Sequence, residues 1–219
     1  MECVLFDFGG TLDSDGTSWG NRFYPLYKEA GLAITREQFD RAFYASDDNL
    51  ATRFNLKGLN LEDTLHLQVR CVLESVAPDR LDLTEKIAGR FLEDCRSHFR
   101  RNRPVLERLA ARYRLGIVSN WYGNLEDILR GEGLRELFGA VADSSVVGCI
   151  KPEPKIFRHA ADALGSPVEE CLMVGDSVPR DMRGAEGLKM AHALIGASAA
   201  CCGEAWQLSI FPDLEAKLQ

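Results

Sequence analysis

The sequence predicts an α/β fold: a doubly wound, Rossmann-like parallel sheet with an all-helical segment inserted into it. Three observations carry this. Short apolar runs alternate with helix-patterned segments after Pro104, as strand–helix–strand units do. The first run, Cys3-Val4-Leu5-Phe6, is apolar at every position, which suits a parallel strand covered on both faces. Between about Asn21 and Arg101 no strand pattern occurs, so roughly 80 residues of helix interrupt the alternation, the size of a small domain.

The elements follow in order. The first strand stops at Asp7-Phe8-Gly9-Gly10-Thr11, a change to turn residues. Thr35-Arg36-Glu37-Gln38 reads as a capping box opening a helix with Phe39, Ala42 and Phe43 on one face. A second helix is expected from Leu61 to Val76, stopped before Pro78, and a third from Leu83 to Phe99 with an Ile87, Phe91, Leu92 and Cys95 stripe. Val105 to Tyr113 reads as a separate helix with Pro104 near its first turn. Strands are expected at 115–118, 139–142, 172–174 and 191–195, with a weak one at 208–210. Helices are expected at 125–134, 154–164, 182–187 and 213–218.

Composition bounds the function. The 219 residues carry 26 Lys and Arg against 33 Asp and Glu, a formal charge of −7. That excess argues against a nucleic-acid partner, which wants clustered cations. It leaves open a small anionic substrate. The opening apolar run is broken by Asp7, too early for a signal peptide. No apolar stretch is long enough to span a membrane. The seven cysteines (3, 71, 95, 149, 171, 201 and 202) form no C-x-x-C pair, and the adjacent Cys201-Cys202 has no matching histidine pair. The expectation is reduced thiols in a cytoplasmic protein. The histidines at 66, 98, 159 and 192 lack ligand spacing.

Three of the expected strands end in polar groups: Asp7, Ser119-Asn120, and Gly175-Asp176. In an open parallel sheet, ligands bind at the carboxyl ends of the strands near the topological switch. Lys151-Pro152 precedes a helix and can reach the same edge. Carboxylates, a hydroxyl and an ammonium gathered there suit a divalent cation with a phosphate, because Mg²⁺ takes hard oxygen ligands.

These segments carry a family resemblance. Asp7-Phe8-Gly9-Gly10-Thr11-Leu12, the strand ending in Ser119, Lys151-Pro152, and Gly175-Asp176-Ser177 with Asp181 occur in that order. They resemble the four motifs of haloacid-dehalogenase (HAD) superfamily hydrolases. The helical insertion resembles that family's first type of cap. The resemblance implies a core of residues 1–15 and 104–219 and a cap of 16–103. It implies a Mg²⁺-dependent phosphohydrolase acting on a small phosphorylated metabolite. Asp7 would be the nucleophile, forming an aspartyl-phosphate. Asp7, Asp176 and the Gly9 carbonyl would hold Mg²⁺, with Asp181 a further or outer ligand. Ser119 would bond a phosphate oxygen, and Lys151 would neutralise phosphate charge and help keep Asp7 ionised. Gly10 and Thr11 would shape the phosphate-facing turn, and Asn120 would orient its neighbouring loop.

One position departs from the family's phosphatase pattern, Asp-x-Asp, whose second Asp protonates the leaving oxygen and then activates water. Here it is Gly9. Such acid–base help is typically worth ~10²–10⁴-fold, or about 3–5 kcal/mol of barrier. Three readings stand: substrates with good leaving groups, a substitute acid such as Asp13 or Asp15, or a catalytically impaired binding or regulatory protein. Asp13 and Asp15 otherwise read as loop solubilisers. A haloacid dehalogenase would attack carbon without a metal, and its usual motifs fit Gly9 and the Asp176/Asp181 pair poorly. Trp19, Trp121 and Tyr122 lie beside the motifs, either lining a pocket or packing cap on core.

Overall fold

Strands β1 (Cys3–Phe6), β2 (Arg114–Ser119), β3 (Ala140–Asp143), β4 (Cys171–Gly175), β5 (Ala191–Ile195) and β6 (Trp206–Leu208) form one sheet. Their order is β3-β2-β1-β4-β5-β6, and every neighbouring pair is parallel. The computed structural model describes residues 1–196 and 205–218. Cys201 and Cys202 lie outside the described residues; the other five cysteines are buried free thiols.

The apolar runs explain the sheet. All four β1 residues are buried. Val4 and Phe6 cluster on one face with Val105, Leu106 and Leu109. Cys3 and Leu5 cluster on the other with Ile156, Phe157 and Ala160. Both faces are thus covered by helices, as a parallel sheet requires. The chain reverses its winding between β1 and β4, the switch point of this strand order. Phe6 is in register with Ile117 and with Val174. Asp7, Ser119 and Asp176 therefore emerge at nearly one level of the same edge.

Between β1 and β2 stand four helices: α1 (Trp19–Glu29), α2 (Arg36–Arg53), α3 (Leu61–Val76) and α4 (Thr84–Ala110). The Thr35/Gln38 capping box closes reciprocally at the start of α2. An Asn60/Asp63 box, which the sequence reading passed over, does the same for α3. After β2 come α5 (Leu125–Gly131), α6 (Ser144–Val147), α7 (Pro154–Ala163), α8 (Arg183–Glu186) and α9 (Asp213–Lys217). A five-residue π turn, Val178–Met182, leads into α8. The last strand lies two residues earlier than expected, at Trp206–Leu208.

The break expected before Pro104 does not occur: the helices read as 83–99 and 105–113 are one 27-residue helix. Its buried stripe runs unbroken through Cys95, Phe99, Asn102, Val105, Leu106 and Leu109. Burying that stripe outweighs the cost of an interior proline, about 3 kcal/mol. The continuous helix generates a prediction. Pro104→Ala should raise unfolding free energy by about 1–3 kcal/mol, the helix-propensity gain less the lost stiffening of the unfolded chain. Urea denaturation measures this; a loss of stability would mean that Pro104 starts a helix instead.

Candidate active site

Asp7 directly follows β1, and its backbone N–H still bonds Val174 O at 2.9 Å, carrying the ladder onto the loop. Its Oδ1 accepts from Phe8 N and Ser119 Oγ, both at 2.7 Å, and forms an ion pair with Lys151 Nζ at 2.8 Å. No donor among the described residues bonds Oδ2, which leaves that oxygen for chemistry. Lys151, 2% exposed, also pairs with Asp181 Oδ1 at 2.7 Å. Burial works against its ammonium, but Asp181 and Asp7 outweigh that and hold its pKa above the usual lysine value.

Carboxylate oxygens of Asp7, Asp176 and Asp181 all lie within 4.8 Å of one another. Burial first, then the charges of Asp7 and Asp181, push the Asp176 carboxyl up to about 8. Burial also raises Asp181, against the pull of Lys151. Three carboxylates facing one ammonium are short of positive charge, and their hard oxygens are the donor set that Mg²⁺ prefers. The residues fit such a cation. Asp181 divides its oxygens, Oδ1 to Lys151 and Oδ2 to Ser177 N at 2.9 Å, so it positions the lysine while bordering the cluster.

Glycines make this crowding possible. A Cβ on Gly10, whose φ is +89°, would lie 2.5 Å from Asp176 Oδ2. One on Gly175 would lie 2.3 Å from Asp181 Oδ2. Thr11 is buried and its hydroxyl reaches toward Asp176 at 3.5 Å. Asn120 turns its side chain to the Lys151 backbone, accepting from N at 2.7 Å and donating to O at 3.3 Å.

The space beside Gly9 belongs to two indoles. A Cβ there would meet Trp19 Nε1 at 3.3 Å and Trp121 at 3.5 Å. The rings cross at 90° with centroids 5.1 Å apart, and Phe8 packs on Trp121 at 5.0 Å. Both tryptophans are buried, and both also line the cavity over Asp7. The two uses read from sequence hold together.

Neither nearby aspartate is a solubiliser or a spare acid. Asp13 is fully buried and accepts from Gly10 N, Trp19 Nε1 and Arg22 Nη1 at 2.6, 2.6 and 2.8 Å. Asp15 takes a two-pronged bond from Arg101, both arms 2.7 Å, and another from Phe211 N. Sequence reading also missed part of the cavity wall: Phe43, Tyr44 and Asp47 from α2, and Arg180 from the π turn. A helix segment reading Ser46-Asp47-Asp48-Asn49 looks like a solvated face, so no sequence signal marked Asp47.

The whole arrangement is that of a hydrolase. The haloacid dehalogenase-like hydrolase family matches residues 1–188, and the chain belongs to that family. Among curated relatives it is 42% identical over 85 residues to haloacid dehalogenase-like hydrolase domain-containing protein 3 of Mus musculus, 39% of this chain and 34% of the relative. It is 42% identical over 72 residues to a phosphoserine phosphatase of Thermus thermophilus, 32% of this chain and 29% of the relative. These alignments thus span about a third of each relative's length. The putative HAD-hydrolase YfnB of Bacillus subtilis, solved bound to magnesium, superposes with a TM-score of 0.62. It is 18% identical and covers 99% of this chain and 98% of its own, a likeness of fold. No helix among the described residues is long and apolar enough to cross a membrane.

A pH dependence follows from Asp176. Its folded pKa lies above the unfolded carboxylate value, so without a cation stability is lost as pH rises from about 4 toward 8. A cation requires the deprotonated form. Mg²⁺ affinity should therefore tighten by up to about tenfold per pH unit below 8 and level off above it. Calorimetric titrations at pH 6, 7, 8 and 9 measure this, and a flat series would contradict it.

Proposed function

We propose that the chain is a Mg²⁺-dependent phosphatase of small phosphorylated metabolites, working through an aspartyl-phosphate on Asp7. One observation carries the reading. Asp7 has one oxygen fixed by Ser119, Phe8 N and Lys151, beside an acidic cluster short of one cation. The phosphoserine phosphatase among its relatives and the magnesium-bound YfnB structure support it. Residues 1–15 and 104–219 form the chemical core in this reading, and 16–103 the cap that chooses the substrate.

Asp7, Asp176 and the Gly9 carbonyl would hold Mg²⁺, with Asp181 behind them; the ion supplies positive charge for the phosphate oxygens. The chain's own groups do the rest. Asp7 Oδ2 attacks phosphorus while its Oδ1 stays anchored, so the carboxylate approaches in one orientation. Lys151 and Ser119, already on Asp7, donate to the phosphoryl oxygens that crowd in beside it. Gly10, Thr11 and Asn120 hold the turn and the lysine loop at fixed distances from the phosphate. Trp19, Trp121 and Phe43 keep water from the back of the cavity.

A second reading, binding without turnover, is favoured by Gly9, which carries no acid and lies against the Trp19 and Trp121 indoles. The acidic cluster, which carbon-centred dehalogenation has no use for, counts against a haloacid dehalogenase. An assay with 4-nitrophenyl phosphate and Mg²⁺ separates these. Wild type should turn over and Asp7→Asn should fall by at least about a thousandfold. Lys151→Met should lose ~10²–10³-fold, the scale of a lost transition-state donor. Equal rates for wild type and Asp7→Asn would leave only the binding reading.

A further inference from the structure

We infer that Asp47, on cap helix α2, is the catalytic acid and base of the reaction, occupying the role that Gly9 cannot fill. The inference rests on the phosphatase reading and adds to it the group that moves the proton.

The β1 loop offers no acid here. Gly9 has no side chain, and one there would press on the Trp19 indole at 3.3 Å. Asp13 and Asp15, the acids nearest in sequence, are held by Arg22 and Arg101 away from any such duty. The carboxylates lining the cavity over Asp7 are Asp7 itself, Asp176 and Asp47. The first two belong to the acidic cluster. Asp47 alone among these lining carboxylates comes from α2, and an acid facing the cavity from there can meet the leaving group of an in-line attack by Asp7.

Its surroundings suit proton transfer. Phe43, Tyr44 and Asp47 stand at positions i, i+1 and i+4 of α2 and line one cavity wall. Tyr122 Oη donates a hydrogen bond to Asp47 Oδ1, and the Gln68 side chain lies beside the same carboxyl. Tyr122 is itself fixed, because Asp143 accepts from Gly123 N at 2.9 Å and Leu125 N at 3.2 Å. The charged and titratable groups facing Asp47 are Tyr122 from the loop after β2, Arg180 from the π turn after β4, and Asp48 on α2. Burial raises the Asp47 carboxyl above its usual range, with Tyr122 and Arg180 pulling the other way and Asp48 adding to the rise. A carboxyl whose pKa is raised keeps its proton to higher pH than a free one, as a donor must.

The step balances. Asp7 Oδ2 forms a bond to phosphorus as the ester P–O bond breaks. The leaving oxygen takes that electron pair and the Asp47 proton, and departs as the alcohol. Asp47, now a carboxylate, accepts a proton from water as the water oxygen bonds phosphorus. The P–O bond to Asp7 breaks, its electrons return to Asp7, and phosphate leaves with both carboxyl groups restored.

The test compares leaving groups in Asp47→Asn, which keeps size and the contact with Tyr122. With alkyl phosphates, kcat/KM should fall ~10²–10⁴-fold. With 4-nitrophenyl phosphate, whose anion leaves unaided, kcat/KM should fall only a few-fold. Its kcat should drop further, with a burst of one nitrophenol per enzyme, because water then lacks its base. Melting curves establish that the variant is folded. Tyr122→Phe keeps the acid but removes a bond that lowers its pKa, so the alkaline limb of the alkyl-phosphate profile should move to higher pH. Equal losses for both leaving groups, undiminished alkyl turnover in Asp47→Asn, or an unmoved limb in Tyr122→Phe would each overturn the role of Asp47. Loss of all activity in wild type would overturn the phosphatase reading with it. Asp7-dependent aryl turnover beside an unaffected alkyl rate would sink only the acid.

Discussion

The structure turns on a buried ammonium. Lys151 sits between Asp7 and Asp181 with Asp176 close by, where one positive charge answers three potential negative ones. Taking a carboxylate out of water is tolerable only beside a partner. Every nearby feature follows from keeping these groups together. Parallel register delivers Asp7 and Asp176 to one level on either side of the switch between β1 and β4. Gly10 and Gly175 omit the side chains that would push the acids apart. Asn120 grips the lysine by its backbone, so the ammonium cannot drift from the two carboxylates it joins. The remaining imbalance goes with a raised Asp176 carboxyl.

A second constraint is aromatic. Phe99, Phe8, Trp121, Trp19, Phe91 and Phe23 form a continuous series of ring contacts from sheet to cap. It passes directly over Gly9. The same rings that line the cavity over Asp7 also crowd the position next but one to it. A larger residue there would have to displace Trp19, and Trp19 is tied to the buried Asp13–Arg22 pair. Gly9 is therefore part of the packing of the two halves, and a side chain at that position would press on Trp19.

Much of the fold was legible in the sequence because local patterns agree with tertiary burial. β1, α2, α3, α7 and β5 lie where apolar runs and capping residues place them. Pro104 misled because a local rule about helix starts competes with a buried stripe, and the stripe prevails in space. The core acids and Lys151 were legible through their order along the chain. Asp13 was not, since a loop aspartate carries no mark of the tryptophan and arginine that will surround it. Asp47 was not either. Its importance arises from the docking of α2 over the sheet edge, and nothing in a polar helix segment says which wall it will form.

The unbroken α4 has a mechanical consequence. At a rise of about 1.5 Å per residue its 27 residues make a bar of about 40 Å, with one end in the cap and the other beneath the sheet. Proline deletes one backbone hydrogen bond near its core end. Just before that weak joint, Asn102 clasps the Leu12 carbonyl and Arg101 clasps Asp15. Both bonds fasten α4 to the loop that begins at Asp7. The inserted helices and the loop after β1 are joined through α4, so the placement of one constrains the placement of the other.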